Sequence, residues 1–491
     1  MLLCRVVGLV YILYNYIWAT PVSGLRRRSR VGEHKLSDAD VQARLAGMHD
    51  TRPASCVSKS YDMSRWPAVS VLFTYHNEEF YTLKLSLTSF RRFTSTDAYS
   101  EVIIVDDGTD DNDVKTDASK FFATYKFKSL RLVRSDSHDG EAASRYKAAK
   151  SAAGAILVFA NHQVRFNEGW LQPLVRYLVD HPNTVVMPHA DSHIHNSRFF
   201  PLSSSLVHVM TLSLGTIHLE TNDDTDDDVI RSPVMRGDVF AVIREYYESL
   251  GEFDDAFIDG GGHDLELSLR TWLCGGEIKI VQCSHVAVSD AITPREVTQP
   301  RNAQRLTELW LDEHKPMVYH QRKEVPTGLG FLEKSQLNAR AAKLHEDLHC
   351  QKFDWYLRNV AQYMTLPSAG FQWFGKLRAD SGYCIKNARG DVTMTPCQPM
   401  FYQADMLFEL TADGRLVNGQ HCLSGHRADH VTLVACESSD VTGAWSLQEQ
   451  ALRSSEHPDM CLQHVMTSSQ SLQLRNCDES LRHQRWSVLN H

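Results

Sequence analysis

A buried strand that ends in polar side chains is the feature of this sequence that most directly suggests chemistry. The apolar run Ala155–Ala160 leads into Asn161, His162 and Gln163, and an amphipathic segment follows. In α/β enzymes, metal ligands and catalytic acids lie at the carboxyl ends of such strands. Two of these three side chains are neutral amides, which are weak ligands for a divalent cation. The stretch therefore poses the question of whether it forms an active site or the remnant of one.

Two earlier apolar runs also end in polar residues. Thr74 and His76 lie at the end of the first run, and Asp106 and Asp107 end the second. Helical periodicity separates the runs, and this alternation predicts a doubly wound, mostly parallel α/β sheet. Since ligands bind beyond the carboxyl ends of such strands, we expect these four residues and Asn161 to surround one crevice. An alternative for the two aspartates is that they cap the turn after their strand.

The last third of the chain has a different pattern. Beyond about Gly370 the helical signal fades and short strand-like runs repeat about every 40 residues. Each repeat contains two cysteines and then an aromatic residue: Cys384, Cys397 and Phe408; Cys422, Cys436 and Trp445; Cys461, Cys477 and Trp486. A threefold period of this length predicts a small all-β repeat domain with one disulfide in each repeat.

Length, charge and cysteine usage narrow the class of protein. The 491 residues suffice for two or three domains, and a net charge of −9 argues against nucleic acid as the main partner. The acidic run 223–228 is expected to be a solvated loop. Apart from Cys4, the cysteines number ten, which suits an oxidising compartment, and the absence of a Cys-x-x-Cys pair argues against zinc.

The first 24 residues carry a targeting signal. Arg5 precedes about 19 uncharged, mostly apolar residues, close to the length that spans a bilayer. Residues 1–24 are therefore either an uncleaved signal-anchor or a cleaved signal peptide, and 25–55 form a short, basic stem. A cluster of arginines beyond the apolar run opposes an N-in orientation under the positive-inside rule. Both interpretations place the rest of the chain in the secretory pathway.

Long stretches of the chain resemble the polypeptide N-acetylgalactosaminyltransferases, the Golgi enzymes that start mucin-type O-glycosylation. The matching stretches include "SVLFTYHNE", "VIIVDDGTDD", "NEGWLQPLV", "SPVMRGDVFAV", "LGEFDDAF", "LELSLRTWLCGGEIKIVQCSHV", "RLTELWLDEHK" and "CQKFDWYLRNV", in the order of the family. The resemblance implies an α/β GT-A glycosyltransferase domain over 56–365 and an all-β ricin B-type β-trefoil lectin domain over 370–491. It also implies a single-pass type II Golgi membrane protein with luminal domains, or alternatively a secreted one.

The resemblance also implies how the ten cysteines pair. Sequence spacing alone leaves the connectivity open. The family pattern implies two disulfides in the first domain and three in the second: Cys56–Cys283, Cys274–Cys350, Cys384–Cys397, Cys422–Cys436 and Cys461–Cys477.

The positions that would hold a metal in this family are altered. The family transfers GalNAc from UDP-GalNAc with the help of Mn²⁺, which is held by an Asp-x-His triplet and a distant histidine. Here the aligned residues are Asn161, Gln163 and Val288, and valine cannot ligate a metal. We therefore expect no metal cofactor. An alternative is that His162 and His285 replace the missing ligands from neighbouring positions, although such a shift within a strand turns a side chain to the other face.

The positions that would contact the donor sugar are altered as well. The family's Trp-Gly-Gly-Glu-Asn element reads Gly260 to Asp264, so His263 and Asp264 stand where the family has a glutamate and an asparagine. The family's Ala-Gly-Gly turn is replaced by Arg236-Gly237-Asp238. The family also has two arginines before the fourth strand, and Ala143 occupies the position of one of them. The residues that still match nucleotide-facing positions are Thr74, Asn77, Glu78, Asp106, Asp107 and Arg145.

The sugar-binding aspartate of the lectin repeats is also missing. Lys386, Ser424 and Gln463 occupy its three positions, while the cysteine pairs and aromatic residues of the core persist. We therefore expect a folded scaffold with weak or absent sugar binding.

Together these substitutions predict an inactive relative that binds a Ser/Thr-rich polypeptide or an active transferase, with residual UDP binding left open. The alternative is an active UDP-GalNAc:polypeptide Ser/Thr transferase with an atypical site. It would use Mn²⁺ or, without metal, Arg145, Arg236 or His263 to neutralise the diphosphate.

Overall fold

The computed structural model of the chain describes residues 38–490, except for 47, 78, 126, 195–197, 201–205, 221–228, 290–292, 324–330, 428–429, 442, 467–470 and 479. The predicted targeting segment 1–24, most of the stem, Glu78 and the acidic run 223–228 lie outside the described residues. Within the described part of the chain, every helix is too short or too polar to cross a membrane.

The first domain is built on twelve strands. They are β1 (Val69–Tyr75), β2 (Glu101–Asp106), β3 (Leu130–Arg134), β4 (Ile156–Ala160), β5 (Val164–Phe166), β6 (Thr184–Ile194), β7 (Arg198–Phe200), β8 (Leu206–Met210), β9 (Thr216–Glu220), β10 (Val229–Arg231), β11 (Val239–Ile243) and β12 (Glu277–Ser289). Ten of these strands form one sheet with the central order β10-β12-β6-β11-β4-β1-β2-β3, and β8 pairs with β9 in a separate ribbon.

The direction of the strands confirms the α/β prediction and refines it. β1 pairs in parallel with β2 and β4, and β2 with β3, as strand–helix–strand alternation predicts. β11 enters antiparallel to both β4 and β6, so the whole sheet is mixed rather than mostly parallel. The reason is local, because between β5 and β11 the chain has one helix and several short strands in place of a regular series of crossover helices.

Within the described ranges, twelve α-helices accompany the strands. They are α1 (Asp38–Ala46), α2 (Ala54–Val57), α3 (Glu79–Phe93), α4 (Asn112–Thr124), α5 (Glu141–Ser151), α6 (Leu171–Asp180), α7 (Arg244–Ser249), α8 (His263–Leu273), α9 (Pro300–Trp310), α10 (Lys315–Arg322), α11 (Phe331–Ala342) and α12 (Phe353–Asn359). Helices cover both faces of the sheet, which is why β1 and β4 are buried along their whole length and are mostly apolar.

Two apolar cores form on the two faces of the sheet. Alternate residues of one strand enter different cores: Leu157 and Phe159 lie in one, and Val158 and Ala160 lie in the other. This alternation follows from the period of two residues in a strand. The strands are therefore held in register from both sides, and the polar residues that follow β1, β2 and β4 are placed at one edge of the sheet.

The second domain contains the remaining strands. They are β13 (Trp373–Ala379), β14 (Tyr383–Ala388), β15 (Asp391–Pro396), β16 (Leu407–Leu410), β17 (Leu416–Asn418), β18 (His421–Arg427), β19 (His430–Ala435), β20 (Trp445–Gln448), β21 (Ala451–Ser454), β22 (His457–Val465), β23 (Ser471–Asn476) and β24 (Trp486–Asn490). All pairings of these strands are antiparallel.

The repeat predicted from the sequence is visible in the core of this domain. Phe408, Trp445 and Trp486 are all buried in one apolar cluster. The indole nitrogen of Trp445 donates to the carbonyl oxygen of Leu423, and that of Trp486 donates to Leu462, each at 2.8 Å. The same contact in two repeats supports an internally symmetric β-domain.

Five disulfides link the chain. They are Cys56–Cys283, Cys274–Cys350, Cys384–Cys397, Cys422–Cys436 and Cys461–Cys477, the pairs that the resemblance implies. The first one joins the segment before β1 to β12, a separation of 227 residues.

The two domains contact each other through the loop 398–403. The backbone N–H of His218, on β9, donates to Met400 at 3.0 Å, and that of Tyr402 donates to the carbonyl of His218 at 2.7 Å. Beneath this loop lies the fully buried side chain of Lys376. Its ammonium donates to the carbonyl oxygens of Gln398 at 2.8 Å and Phe401 at 2.7 Å. Desolvation lowers the pKa of Lys376 to about 7.

We predict that Lys376→Met lowers the free energy of unfolding by about 3 kcal/mol, because it leaves two buried carbonyl oxygens without donors. Thermal or urea unfolding of the purified chain measures the change. The control is Lys386→Met, which removes a partly exposed ion pair with Asp405 and should cost less than about 1 kcal/mol. Equal effects of the two substitutions would show that the buried lysine does not support the loop.

Candidate functional site

The polar residues that are predicted to surround a crevice lie at the carboxyl ends of β1 and β2. Thr74 and Asp106 are buried at these ends. One carboxylate oxygen of Asp106 accepts from the backbone N–H of Thr109 at 3.1 Å, which is the turn-capping role considered as an alternative. The side-chain oxygen of Asn77 accepts from the N–H of Asp110 at 3.0 Å, so it also stabilises the turn after β2.

Asp107 holds the loop that leads into α5. Its carboxylate accepts from the backbone N–H groups of Asp139 at 3.0 Å and Gly140 at 2.9 Å. The Nδ1 atom of His138 lies 2.9 Å from the same carboxylate. The ring of His138 stacks on the ring of His76, with 3.9 Å between their centroids. The side chain that would face a nucleotide is therefore already engaged by groups of the chain itself.

The three positions aligned with metal ligands do lie together. Val288 on β12 pairs with Val164 on β5, and Gln163 directly precedes Val164. The side-chain oxygen of Asn161 accepts from the backbone N–H of Gln163 at 2.9 Å. The sequence alignment therefore identified one place in the fold.

The side chains at this place do not fit a divalent cation. The Asn161 oxygen is occupied by a turn hydrogen bond. Val288 is 1 % exposed and packs in the apolar core. The set contains no carboxylate and no imidazole, the ligands that Mn²⁺ prefers. These residues therefore provide no Mn²⁺ site.

The side chains of the two histidines considered as replacement ligands contact carboxylates that the alignment did not identify. The Nδ1 atom of His162 is 3.5 Å from the Glu79 carboxylate. His285 lies three residues before Val288, so an odd number of positions separates the two side chains on β12. Its Nδ1 atom is 3.0 Å from a carboxylate oxygen of Asp191.

Among the described residues, two groups bring at least three potential ligand atoms within 4.8 Å of one another. They are His189, Asp191 and His285, which are buried, and Glu313, His314 and Asp354, which are more exposed. Neither group includes a position that the alignment identified.

Arg145, the retained arginine on α5, is bound by carboxylates. Its guanidinium contacts Glu141 at 2.6 Å and Asp264 at 2.8 Å, and it donates to the carbonyl of Gly237 at 2.7 Å. Desolvation opposes the charge on Glu141, yet Arg145 and His263 lower the pKa of that carboxyl. Arg145 is therefore a neutralised cation inside the crevice.

A second ion cluster surrounds Asp238, the residue before β11. Arg236 contacts its carboxylate at 2.8 Å, and Arg295 contacts the other carboxylate oxygen. Arg295 also donates to the backbone carbonyl of Arg236 at 2.6 Å. Desolvation raises the pKa of Asp238, but the two arginines outweigh it and lower that pKa. The loop 293–299 is thus tied to the β11 end of the crevice.

The element that replaces the family's Trp-Gly-Gly-Glu-Asn forms the start of α8. His263 is its first residue and is 6 % exposed. Its Nε2 atom lies 3.4 Å from Asp264 and 3.7 Å from Glu141. Gly260 adopts φ +115°, and its carbonyl accepts from the N–H of Thr298 at 2.8 Å. These contacts make His263 part of the ion network rather than an exposed base.

Sequence analysis missed three residues of this site. Glu141 lies four residues before Arg145, which was predicted for the site, so its negative charge was a visible signal. His138 lies seven residues before Arg145, but its stacking on His76 depends on the loop conformation. Arg295 lies in a loop with no local pattern and reaches Asp238 only through the fold.

The altered lectin positions have structural contacts. Lys386 pairs with Asp405 at 3.1 Å, the Ser424 hydroxyl donates to the Asp440 carbonyl at 2.8 Å, and Gln463 accepts from Gln484 at 3.0 Å. None of the three offers a carboxylate to a sugar hydroxyl.

Comparison with known proteins agrees with this architecture. Residues 70–246 match Glycosyl transferase family 2, and 373–486 match the Ricin-type beta-trefoil lectin domain. A solved structure, GalNAc-T7 with UDP, GalNAc and Mn²⁺, aligns with a TM-score of 0.62 at 22% identity, over 90% of this chain and 85% of its own. The fold is therefore that of a GT-A glycosyltransferase followed by a ricin-type lectin domain.

Sequence relatives identify the family. Polypeptide N-acetylgalactosaminyltransferase 4 of Mus musculus is 27% identical over 473 residues, which cover 89% of this chain and 79% of the relative. Inactive polypeptide N-acetylgalactosaminyltransferase-like protein 5 of Macaca fascicularis is 30% identical over 324 residues, 63% of this chain and 71% of the relative. The chain belongs to the polypeptide N-acetylgalactosaminyltransferase family.

We predict that Asp238→Asn lowers the free energy of unfolding at pH 7 by about 3–5 kcal/mol, because two guanidinium groups lose their buried partner. The lowered pKa of Asp238 means that its contribution is present above the unfolded value of 3.8. It disappears as the pH falls through the lower folded-state value. Urea unfolding of both proteins across this pH range should show the difference shrinking in acid.

The control for this prediction is Asp180→Asn, which removes an exposed i,i+4 pair with Arg176 and should cost less than about 1 kcal/mol at every pH. A difference between Asp238→Asn and the unsubstituted chain that stays constant below pH 3.8 would contradict the ion-pair assignment.

Proposed function

We propose that this chain is a catalytically inactive member of its family, which binds a Ser/Thr-rich polypeptide or an active relative in the Golgi. The proposal is supported chiefly by Asn161, Gln163 and Val288, which lie together and offer no ligand that could replace a carboxylate or an imidazole. A retaining transfer from a UDP-sugar develops negative charge on the leaving diphosphate, and a divalent cation is the usual group that stabilises it.

The ion pairs of the crevice argue against the metal-independent alternative. That mechanism needs a cation directed at the diphosphate. Arg145 is bound by Glu141 and Asp264, and Arg236 by Asp238. Each of these carboxylates would also repel a diphosphate nearby. A nucleotide sugar would have to break buried ion pairs before it gained any electrostatic stabilisation.

Contacts within the chain are also expected to weaken nucleotide binding. Asp107 is engaged by His138 and by two backbone N–H groups. The stacked rings of His76 and His138 lie at the opening between β1 and β2. We propose that residual affinity for UDP is low and does not increase with Mn²⁺.

The two-domain scaffold supports a role in binding. The cores and the disulfides of both domains are complete among the described residues, while the polar positions of both sites have changed. Such a chain retains the overall surface of a transferase without its chemistry. The N-terminal signal is proposed to place it in the Golgi as a type II membrane protein, with secretion as the alternative.

A transferase assay tests the inactivity. The purified chain is incubated with UDP-GalNAc, Mn²⁺ and a Ser/Thr-rich peptide, and the release of UDP and the mass of the peptide are followed. We expect no release above the protein-free rate, whereas mouse polypeptide N-acetylgalactosaminyltransferase 4 in the same buffer serves as the positive control. Turnover that survives EDTA would favour the metal-independent alternative, and turnover stimulated by Mn²⁺ would refute the ligand assignment.

A further inference from the structure

A second group of side chains that could ligate a metal ion lies outside the crevice, on the paired strands β6 and β12. His189 and Asp191 are alternate residues of β6, so their side chains leave the same face of the sheet. His285 pairs directly with His189. The register of β12 shifts between Val281 and His285, and this bulge directs the imidazole toward the two residues of β6.

The cluster is buried and its carboxylate is incompletely satisfied. Relative exposure is 4% for His189, 1% for Asp191 and 5% for His285. The Oδ1 atom of Asp191 has no hydrogen-bond partner among the described residues. The Nε2 atom of His189 lies 3.6 Å from this oxygen, too far for a hydrogen bond. An unsatisfied carboxylate oxygen in such a place costs free energy unless a cation or donor compensates it.

The hydrogen bond that Nε2 of His285 donates leaves Nδ1 as the nitrogen that can ligate a metal in the singly protonated imidazole. Its Nε2 atom lies 2.9 Å from the carbonyl oxygen of Gln282, so this nitrogen carries the proton. Its Nδ1 atom points at Asp191, with 3.0 Å to Oδ2. A histidine that ligates a metal through one nitrogen usually donates from the other to a backbone carbonyl or a carboxylate. The bulge of β12 supplies that carbonyl.

The spacing of the ligand atoms suits a small cation. With bonds of about 2.0–2.1 Å, tetrahedral coordination places ligand atoms about 3.3 Å apart. The Nδ1 atom of His285 lies 3.0 Å from Oδ2 of Asp191, and the Nε2 atom of His189 lies 3.6 Å from Oδ1. Both distances are near that separation, and the three ligand atoms all lie within 4.8 Å of one another. Two imidazoles and one carboxylate favour Zn²⁺ over Mn²⁺, since nitrogen donors bind Zn²⁺ more tightly.

We propose that His189, Asp191 and His285 form a Zn²⁺ site that fixes the N-terminal segment of the domain to the sheet. The hydroxyl of Thr51 lies 2.5 Å from Oδ2 of Asp191 and 3.4 Å from Nδ1 of His285. The disulfide Cys56–Cys283 holds the same segment against β12 a few residues away. The sequence argued against zinc because it contains no Cys-x-x-Cys pair. The three ligands of this site come from two strands that are distant in sequence and include no cysteine, so that criterion could not find them.

This site does not depend on the proposed loss of transferase activity. It uses none of the altered ligand positions, and the side chains of His285 and Val288 leave opposite faces of β12 because three positions separate them. A failed zinc experiment would leave the inactivity proposal untouched, and transferase activity would leave the zinc site untouched.

Calorimetric titration tests the site. The full chain is prepared without a polyhistidine tag, treated with EDTA and dialysed, and then titrated with ZnCl₂ and separately with MnCl₂. We expect one Zn²⁺ per chain, bound more tightly than Mn²⁺, and a rise in melting temperature with Zn²⁺. His189→Ala should weaken Zn²⁺ binding by at least about tenfold. His314→Ala, in the more exposed Glu313, His314 and Asp354 cluster, is the matched control and should leave it unchanged.

A second measurement covers the case in which His189→Ala does not fold, as judged by circular dichroism. Co²⁺ added to the metal-free chain should produce visible absorption bands of a low-coordinate site, and Zn²⁺ should displace them. The absence of both stoichiometric Zn²⁺ binding and a Co²⁺ spectrum would overturn the proposal. So would Zn²⁺ binding that survives His189→Ala but is lost in His314→Ala.

Discussion

The pairing of Asp238 with Arg236 and Arg295 is the interaction on which the arrangement of the crevice depends. It brings a carboxylate to a turn where the family pattern has a glycine, and it neutralises two guanidinium groups at once. The same contact ties the loop 293–299 to the end of β11. Because buried charges require partners, the two arginines and the aspartate hold one another in place. Arg145 is held in the same way by Glu141 and Asp264.

Much of the first domain could be predicted because its signals are local. The apolar runs that end at Tyr75, Asp106 and Ala160 are strands within a residue or so of the expected bounds, since each is buried on both faces. The antiparallel entry of β11 was not predicted, because strand direction depends on long-range packing. The adjacency of Asn161, Gln163 and Val288 came from the family alignment, and the structure shows those positions side by side.

The parts that sequence reasoning missed share a physical reason. Arg295 and Asp238 are 57 residues apart, and neither has a local pattern that points to the other. His285 was considered as a replacement metal ligand, but its neighbours His189 and Asp191 were missed, because they meet it only through a strand pairing that includes a bulge. Ion pairs and metal ligands of this kind are brought together only by the tertiary fold. Apolar periodicity, which carries most of the predictable signal, contains no information about them.

The small β8–β9 ribbon contacts both a loop of the crevice and the lectin domain. Thr216 exchanges backbone hydrogen bonds with Arg295 of the crevice loop, and His218, two residues along the same strand, exchanges them with the loop 398–403 of the lectin domain. Three consecutive residues therefore join the wall of the crevice to the second domain. Because β9 is extended, a displacement of the loop that contains Arg295 or of the loop 398–403 should also displace the other loop. A partner that binds the lectin domain and displaces the loop 398–403 would therefore also displace the loop that contains Arg295, even if the two domains keep their relative orientation.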